Sequence, residues 1–596
     1  MMPSRASGHL TFAKLLTCFL LLWTREQVVA FQRVSSSALV LQRHSIDCLA
    51  LIQGGRLQRI AAYRDALRVD NGDNELQSSH ESVEAAGDEG EGQEASDDDG
   101  APFPIWEGIG AFQAGEMDAP PPMGVVIVDG FCDYLGRRCA RLLKEAGYAV
   151  VEVMSEHMLD VVMRDEEANV FRPPEPGSES RWAAHLPFPL AAVLCESDAG
   201  LATAERLQAT LLGPRFGGIN EARRDKFLMN EAIREAGLTA VRQVKTGHWD
   251  EVRSFLSTLR SSSVTRPRHS GSRTDTDGAA LPTARAGGVV SCVVKPLRGC
   301  ASGGVFRCSG EQEAEVAFRK ILGTRKYGTP GAMNDEVLVQ ELLEGVEFAV
   351  DTVSRDGEHK VMAIWRYDKR PANGAPFVYF STQLMRSDGA QEQRLVEYVR
   401  QVLDTLGVTF GPTHTEVMMV GAPSGNDASH SPLLGMPVLV EVNTRWHLTD
   451  FAPVTDACVG YNAVEETLSA YLDPERFAAL PRDPPVGVGA KHGRVVHLVS
   501  YVEGSLEGID HEEEIHSMKS FAGIDVYSDP EREGNGQVKR TVDIRSDAGW
   551  VHLVHESADV IERDYARIVE LMPTMFRVRA AEGGCEDARA TTGLPE

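Results

Sequence analysis

Between Val438 and Arg445 the chain reads Val-Leu-Val-Glu-Val-Asn-Thr-Arg, and this alternation admits few structures. Apolar or small residues separate Glu441, Asn443 and Arg445. On a β-strand successive side chains point to opposite faces, so these three share one face. That face presents a carboxylate, an amide oxygen and a guanidinium in a row. Oxygen donors suit a hard divalent cation, and a guanidinium beside them suits a phosphate group. Upstream, Val293-Val-Lys-Pro296 reads as a second strand that ends in a cation.

At 596 residues the chain is too long for one hydrophobic core, and several domains are expected. Its 60 Lys and Arg face 87 Asp and Glu, a net charge of −27. Such an acidic surface argues against nucleic acid as a partner. Part of the excess lies in one tract, Asp73 to Asp99, read as a solvated linker. The ten cysteines form no CxxC pair, and Cys292, Cys300 and Cys308 are spaced too widely for a zinc knuckle. Free thiols in a reducing compartment are the expectation.

Arg5 and Lys14 precede an apolar run, Leu15 to Trp23. The run is too short to span a bilayer and fits a signal-peptide core, so residues 1–30 are read as a signal peptide. Residues 31–66 are rich in Arg and Ser and read as a transit-like segment. The pair resembles the bipartite presequence of algae with secondary plastids, which implies delivery to a plastid through the secretory pathway. An ordinary secretory signal, giving a secreted or endomembrane protein, is the alternative. No other run is long and apolar enough to cross a membrane, so no stable membrane insertion is expected once the presequence is removed.

Residues 67–122 are acidic and then Gly- and Pro-rich, the composition of a disordered linker. Order is expected from Met123, where an apolar run, a helical pattern from Tyr134 to Ala146 and a second run from Ala149 to Val153 make a βαβ start. A third strand, Ala191 to Leu194, ends at Glu196, Ser197 and Asp198, placed either to line a crevice or to serve a turn. Asn220 to Gly237 reads as one helix. Residues 261–288 read as a low-complexity disordered insertion, and Gly421 to Met436 as a hairpin loop. Further strands are expected at 289–294, 336–340, 348–353, 361–365, 416–420 and 437–442, and helices at 463–471 and 558–572. The ordered part is expected to divide into four segments, 123–225, 226–344, 345–485 and 486–580, with a tail at 581–596.

Four further patterns carry chemistry. Asn220-Glu-Ala-Arg-Arg-Asp-Lys226 places a lysine near a helix start. Lys295 is followed by Gly299, Ser302, Gly303 and Gly304, a loop whose backbone N–H groups can approach phosphate oxygens. It is not a Walker loop, because no G-K-[ST] follows. Val339-Gln-Glu-Leu-Leu-Glu-Gly-Val-Glu-Phe348 sets Glu347 between apolar neighbours. Thr413-His-Thr-Glu416 puts His414 and Glu416 on one face of a strand.

In this order, across about residues 123–575, the motifs resemble those of ATP-grasp enzymes of the carboxylate–amine or amino-acid ligase type. The resemblance implies an α/β fold with a Rossmann-like N-terminal domain, an α+β lid, a central mixed sheet and a small C-terminal α/β domain. It implies ATP and Mg2+ (or Mn2+) as cofactors, and small carboxylates and amines as substrates. Lys226, Lys295, Ser302, Gly303, Gly304, Gln340, Glu341, Leu343 and Glu347 would bind ATP. Glu416, Glu441 and Asn443 would hold the metal, and Arg445 with Lys295 would serve catalysis. His414, Arg366, Lys369, Trp446 and His447 are candidates for substrate contact. Where many relatives follow the arginine with paired glycines, this chain has Trp446, His447 and Leu448, so the acceptor pocket departs from the pattern. The implied reaction forms an acyl phosphate and then an amide. The rivals are a purine-pathway ligase, a biotin-carboxylase-like enzyme and a non-catalytic nucleotide binder. The one Met-Lys pair, Met518-Lys519, has serine on both sides and speaks against a biotinyl carrier. Oligomeric state is open, with a homodimer among the options.

Overall fold

In the N-terminal part, strand β1 (Gly124–Val128) is wholly buried and runs parallel to β2 (Ala149–Val153) on one side and β4 (Leu190–Cys195) on the other. With β3 (Val170–Phe171) they form a parallel sheet in the order β3-β2-β1-β4. Val125 and Ile127 on one face of β1 and Val126 and Val128 on the other are all buried, as in a sheet covered by helices on each side. The doubly wound start expected from the sequence is therefore present. The computed structural model describes residues 123–161, 170–264, 290–421, 433–486, 490–526 and 536–579. The presequence, the acidic linker, the tail and most of both expected insertions lie outside the described residues.

The segment 220–237 is not one helix. A short 3-10 turn, Glu221–Arg223, precedes a break, and the α-helix runs only from Lys226 to Glu235. Asp225 causes the break: its carboxylate accepts from Phe227 N and Leu228 N, the capping pattern that starts a helix at the next residue. Gly237, at φ +78°, ends it. The next helix, Trp249–Val264, extends into the start of the expected insertion, because residues 261–264 continue its final turn.

The lid is an antiparallel sheet in the order β5-β8-β6-β7, built from β5 (Gln243–Thr246), β6 (Ser291–Lys295), β7 (Phe306–Ser309) and β8 (Val337–Glu341). Helices Trp249–Val264 and Glu311–Ile321 pack on it through Val252, Leu256, Phe318 and Ile321.

The central sheet has eight strands, in the order β13-β12-β9-β10-β11-β14-β18-β16. Its first members are β9 (Gly345–Arg355), β10 (Glu358–Ala372), β11 (Ala375–Leu384), β12 (Gly411–Val420) and β13 (Pro437–Asn443). The sheet continues through β14 (His492–His497), β16 (Phe521–Val526) and β18 (Gly549–His555), so strands from residues 492–555 extend the same surface. A small sheet of β15 (Gly504–Ile509), β17 (Gln537–Val538) and β19 (Phe576–Arg579) stands apart. One face of the large sheet is covered by helices Lys226–Glu235 and Ala390–Thr405, and further along by Ala558–Met575. Trp365, Tyr367 and Tyr379 lie on the opposite face. That face meets the lid and the N-terminal sheet around a cleft.

Candidate active site

The cleft has a volume of about 680 Å³ and takes lining from the lid, the central sheet, the loop after β1 and the C-terminal segment. On its sheet wall, β12 and β13 run antiparallel with Glu416 paired to Glu441 and His414 paired to Asn443. The next register pair is Val417 with Leu439, so Val440 is an extra residue on β13. Such bulges bend a strand and re-aim its side chains. Both glutamates line the cleft.

Lys226, first residue of its helix, reaches across to this wall. Its Nζ donates to Glu441 Oε1 at 2.7 Å and to Gly299 O at 3.0 Å. Burial opposes the charge on Lys226, but Glu441 outweighs it and raises the lysine. Glu441 is itself raised, because burial outweighs Lys226. Lys295 ends β6 on the lid wall and has no ion-pair partner among the described residues. Burial and the nearby Lys226 charge push it down to about 8. An incoming polyanion would reverse both effects.

Arg445 is fixed from the N-terminal sheet. Its Nε donates to Asp198 Oδ1 at 2.9 Å and its Nη2 to Asp198 Oδ2 at 2.7 Å, a bidentate pair. Asn443, with its NH2 group turned toward the acids, donates to Asp198 Oδ1 and Glu441 Oε1, both at 3.1 Å. Of the three polar residues that end β4, Asp198 thus enters the site. Glu196 instead accepts from Gly136 N at 2.9 Å and Cys132 N at 3.1 Å, and Ser197 donates to Asp129 at 2.5 Å.

Glu416 stands beside His414, whose Nε2 is 3.5 Å from its Oε1. Burial works against its charge, yet His414 and Lys369 hold Glu416 well below the usual carboxylate range. His414 Nδ1 lies 2.9 Å from Asp351 Oδ1, and His447 Nδ1 lies 3.2 Å from Asp351 Oδ2. Tyr367 Oη contacts the Nε2 atoms of both rings, at 3.3 and 3.2 Å. Asp351 and Glu416 raise His414 to about 9 against the effect of burial, while burial and the adjacent His414 lower His447 to about 4. Asp351, His414 and His447 bring potential ligand atoms within 4.8 Å of one another. Both Nδ1 atoms are already engaged by Asp351, so the group reads first as a hydrogen-bonded array.

Most of the residues expected to bind ATP gather on the lid, and Glu347 lies on β9 of the central sheet. Ser302 and Gly303 line the cleft; Ser302 sits at φ +59°, and Gly304 at φ +74° turns the loop into β7. A Cβ on Gly303 would stand 3.1 Å from Arg545 Nη2, so the C-terminal segment touches this loop. Gln340, Glu341 and Leu343 line the cleft at the end of β8. The Glu341 carboxylate is taken by Arg242, at 2.7 Å to Nε and 2.8 Å to the backbone N, and Gln340 Nε2 donates to Gln243 Oε1 at 2.9 Å. What Glu341 and Leu343 offer a ligand is therefore backbone. Glu347 faces the cleft but accepts from Lys369 Nζ at 2.7 Å. Lys369 also lies 4.4 Å from the Tyr379 ring centroid.

Two substrate candidates fall elsewhere. Arg366 is exposed and donates to Gln383 Oε1 at 2.7 Å, away from the cleft. Period-two alternation puts Trp365, Tyr367 and Lys369 on the cleft face and sends Arg366 to the other. Trp446 is 2% exposed, packs in the core beneath the N-terminal sheet and donates to Thr467 Oγ1 at 3.0 Å. His447 next to it does line the cleft.

Sequence reasoning missed Asp351, Lys539, Arg545 and Asp547 as cleft or near-cleft groups. Asp351 carried a signal: a carboxylate inside the apolar run Phe348–Val353 must find partners. The other three reach the cleft only through tertiary closure.

Parallel N-terminal sheet, antiparallel lid and central sheet, closing around acids on two neighbouring strands, define the ATP-grasp fold. A model of the ATP-grasp domain matches residues 289–424. Dapdiamide A synthase of Enterobacter agglomerans is 25% identical over 463 residues, covering 76% of this chain and 97% of its own length. The crystal structure of L-amino acid ligase from Bacillus licheniformis superposes with a TM-score of 0.52 at 16% identity, covering 77% of this chain and 100% of that one.

Proposed function

We propose that this chain is an ATP-dependent ligase that joins a small carboxylic acid to an amine and releases ADP and phosphate. One observation carries the reading: Glu416 and Glu441 meet across the β12–β13 ladder, within a cleft that also holds Lys226, Lys295 and Arg445. The relatives described above, a synthase and an amino-acid ligase by name, support the same reading.

The roles follow from position. Lys295 and the Ser302–Gly303 loop receive phosphate oxygens, and the backbone after β8 faces the adenine. Lys226 leaves Glu441 free to turn toward a cation once the nucleotide supplies it with phosphate. Glu416 and Glu441 offer carboxylate oxygens on the cleft side, and Asn443 would add its amide oxygen only by rotating its NH2 group away from Asp198 and Glu441; the three together make an oxygen set that fits Mg2+ (or Mn2+). When bound there, the ion would screen the negative charge of the triphosphate. Arg445, held by Asp198, faces the transferring phosphoryl group. The substrate carboxylate attacks the γ-phosphorus, ADP leaves, and an amine then displaces phosphate from the acyl phosphate to form the amide. The lid excludes water, which would otherwise hydrolyse that intermediate.

The reading is tested by incubating the full chain with ATP, magnesium and pooled amino acids and amines. ADP release and an amide product by mass spectrometry are expected, and their absence with every pool would favour a nucleotide binder. We also read residues 1–66 as a removable plastid presequence, supported by the apolar run Leu15–Trp23 and the basic segment after it. The N-terminal sequence of the mature protein tests that.

A further inference from the structure

Asp351 takes up one end of each ring in the His414–His447 pair, and the other ends converge on the cleft. Its Oδ1 lies 2.9 Å from His414 Nδ1 and its Oδ2 3.2 Å from His447 Nδ1, and Trp365 Nε1 donates to Oδ2 at 2.7 Å. A carboxylate only accepts, so both Nδ1 atoms carry a proton, and in the neutral rings both Nε2 atoms present a lone pair. The rings stack with centroids 3.8 Å apart and 26° between their planes, which holds the two Nε2 atoms side by side. Tyr367, His414, Glu416 and His447 all line the cleft, so a small ion can reach them.

Three acceptors then face one hydroxyl proton. Tyr367 Oη is 3.3 Å from His414 Nε2, 3.2 Å from His447 Nε2 and 3.4 Å from Glu416 Oε1, and His414 Nε2 is 3.5 Å from Glu416 Oε1. The oxygen–oxygen contact is long for an O–H···O bond, which reaches only about 3.0 Å. A tetrahedral ion with bonds of about 2.0–2.1 Å keeps its ligand atoms about 3.3–3.4 Å apart, and the observed separations cluster around that edge length. A carboxylate on the far nitrogen of each ring is the usual support of metal-bound histidine. Against burial, Asp351 and Glu416 favour a proton on His414 in the free protein, and a dication would take that proton's place. Two imidazoles in the set select a transition ion over Mg2+, which prefers six oxygens.

We infer that His414 Nε2, His447 Nε2, Glu416 Oε1 and Tyr367 Oη form a four-coordinate site for a first-row transition dication of the Zn2+ type, with Asp351 orienting both rings. This ion is distinct from the one assigned to Glu416, Glu441 and Asn443, and the two share Glu416. The test titrates the full chain, stripped of metal by a chelator, with Co2+ and then Zn2+, without nucleotide. One Co2+ per chain should bind with the intense visible absorption of four-coordinate cobalt, and Zn2+ should displace it. His447→Ala should weaken Co2+ by at least about a hundredfold, and Asp351→Asn by about tenfold to a hundredfold with the four-coordinate spectrum kept. Glu441→Ala should stay within about threefold of wild type, because Glu441 is outside the set. No binding, the weak spectrum of six-coordinate cobalt, or an equal loss in Glu441→Ala and His447→Ala overturns the assignment. Should a variant fail to fold, the wild-type spectrum still decides between the two coordination numbers. Neither nucleotide nor turnover enters the test, so its outcome is separate from that of the ligase reading.

Discussion

Glu416 and Glu441 are register partners in the β12–β13 ladder, and Lys226 Nζ sits 2.7 Å from the second of them. Like carboxylates placed opposite one another repel unless a cation stands between or beside them. In this arrangement lysine fills that place, and a divalent ion would be its natural successor once phosphates draw the lysine away. Lys226 and the sheet acids are therefore parts of one charge balance.

Lys295 sets a pH limit. In the free protein it is held down to about 8 by burial and by Lys226, so its charge is lost as pH rises through that value. In the role proposed for Lys295 the charged form binds phosphate, so kcat/KM for ATP should fall on the alkaline side from about pH 8. Lys295→Arg keeps its charge throughout and should move this limb up by more than about one pH unit. Lys295→Ala should abolish ATP-dependent turnover. An ADP-release assay across pH checks all three, and wild-type rates in Lys295→Ala would refute the lid assignment.

Asp198 connects the N-terminal sheet to the cleft through its bidentate grip on Arg445, the residue proposed to face the transferring phosphoryl group. Asp198→Asn leaves a buried guanidinium without its counter-charge, a loss of about 3–5 kcal/mol in comparable pairs. We expect a lower unfolding temperature and a fall in kcat of about tenfold to a hundredfold, with a smaller change in the KM for ATP. Calorimetry and steady-state kinetics on the same preparation separate the two effects. Unchanged kcat would mean that Arg445 needs no such support.

Neighbours on β10 should behave differently. Lys369 neutralises Glu347 on the cleft wall, whereas Arg366 binds Gln383 on the exposed face. Lys369→Ala should raise the KM for ATP by about tenfold or more, because it leaves Glu347 buried and unpaired. Arg366→Ala should stay within about twofold of wild type, as an exposed polar contact away from the cleft. Comparable losses in both variants would contradict the strand orientation.

Much of this site could be read from local pattern. The alternation in Val438–Arg445 fixed which side chains share a face, and the strand after it in space, β12, carried Glu416 and His414 by the same period. The lid strand ending at Lys295 and the loop after it were legible for a similar reason: β-branched runs and glycines act locally. Long-range relations were not legible. Asp198 could have served a turn, and only the packing of the N-terminal sheet against β13 gives it Arg445. Trp446 looked like a pocket residue by adjacency, but the strand has ended there and its ring turns into the core. The break at Asp225 was missed because a capping aspartate beside Arg224 and Lys226 also fits a continuous helix. Residues 539–547 gave no signal at all, since turn chemistry such as Asp543 with Ser546 reads the same whether or not a cleft lies beneath it.

The most direct test is magnesium-dependent ADP release by the wild-type chain and by Glu441→Ala, with amino acids and amines present. The wild type should release ADP only with magnesium, chelation should stop it, and Glu441→Ala should be slower by about a thousandfold or more while retaining its fold. Equal rates in the two proteins, or release that ignores magnesium, would contradict the claim that Glu416 and Glu441 act together on one divalent ion.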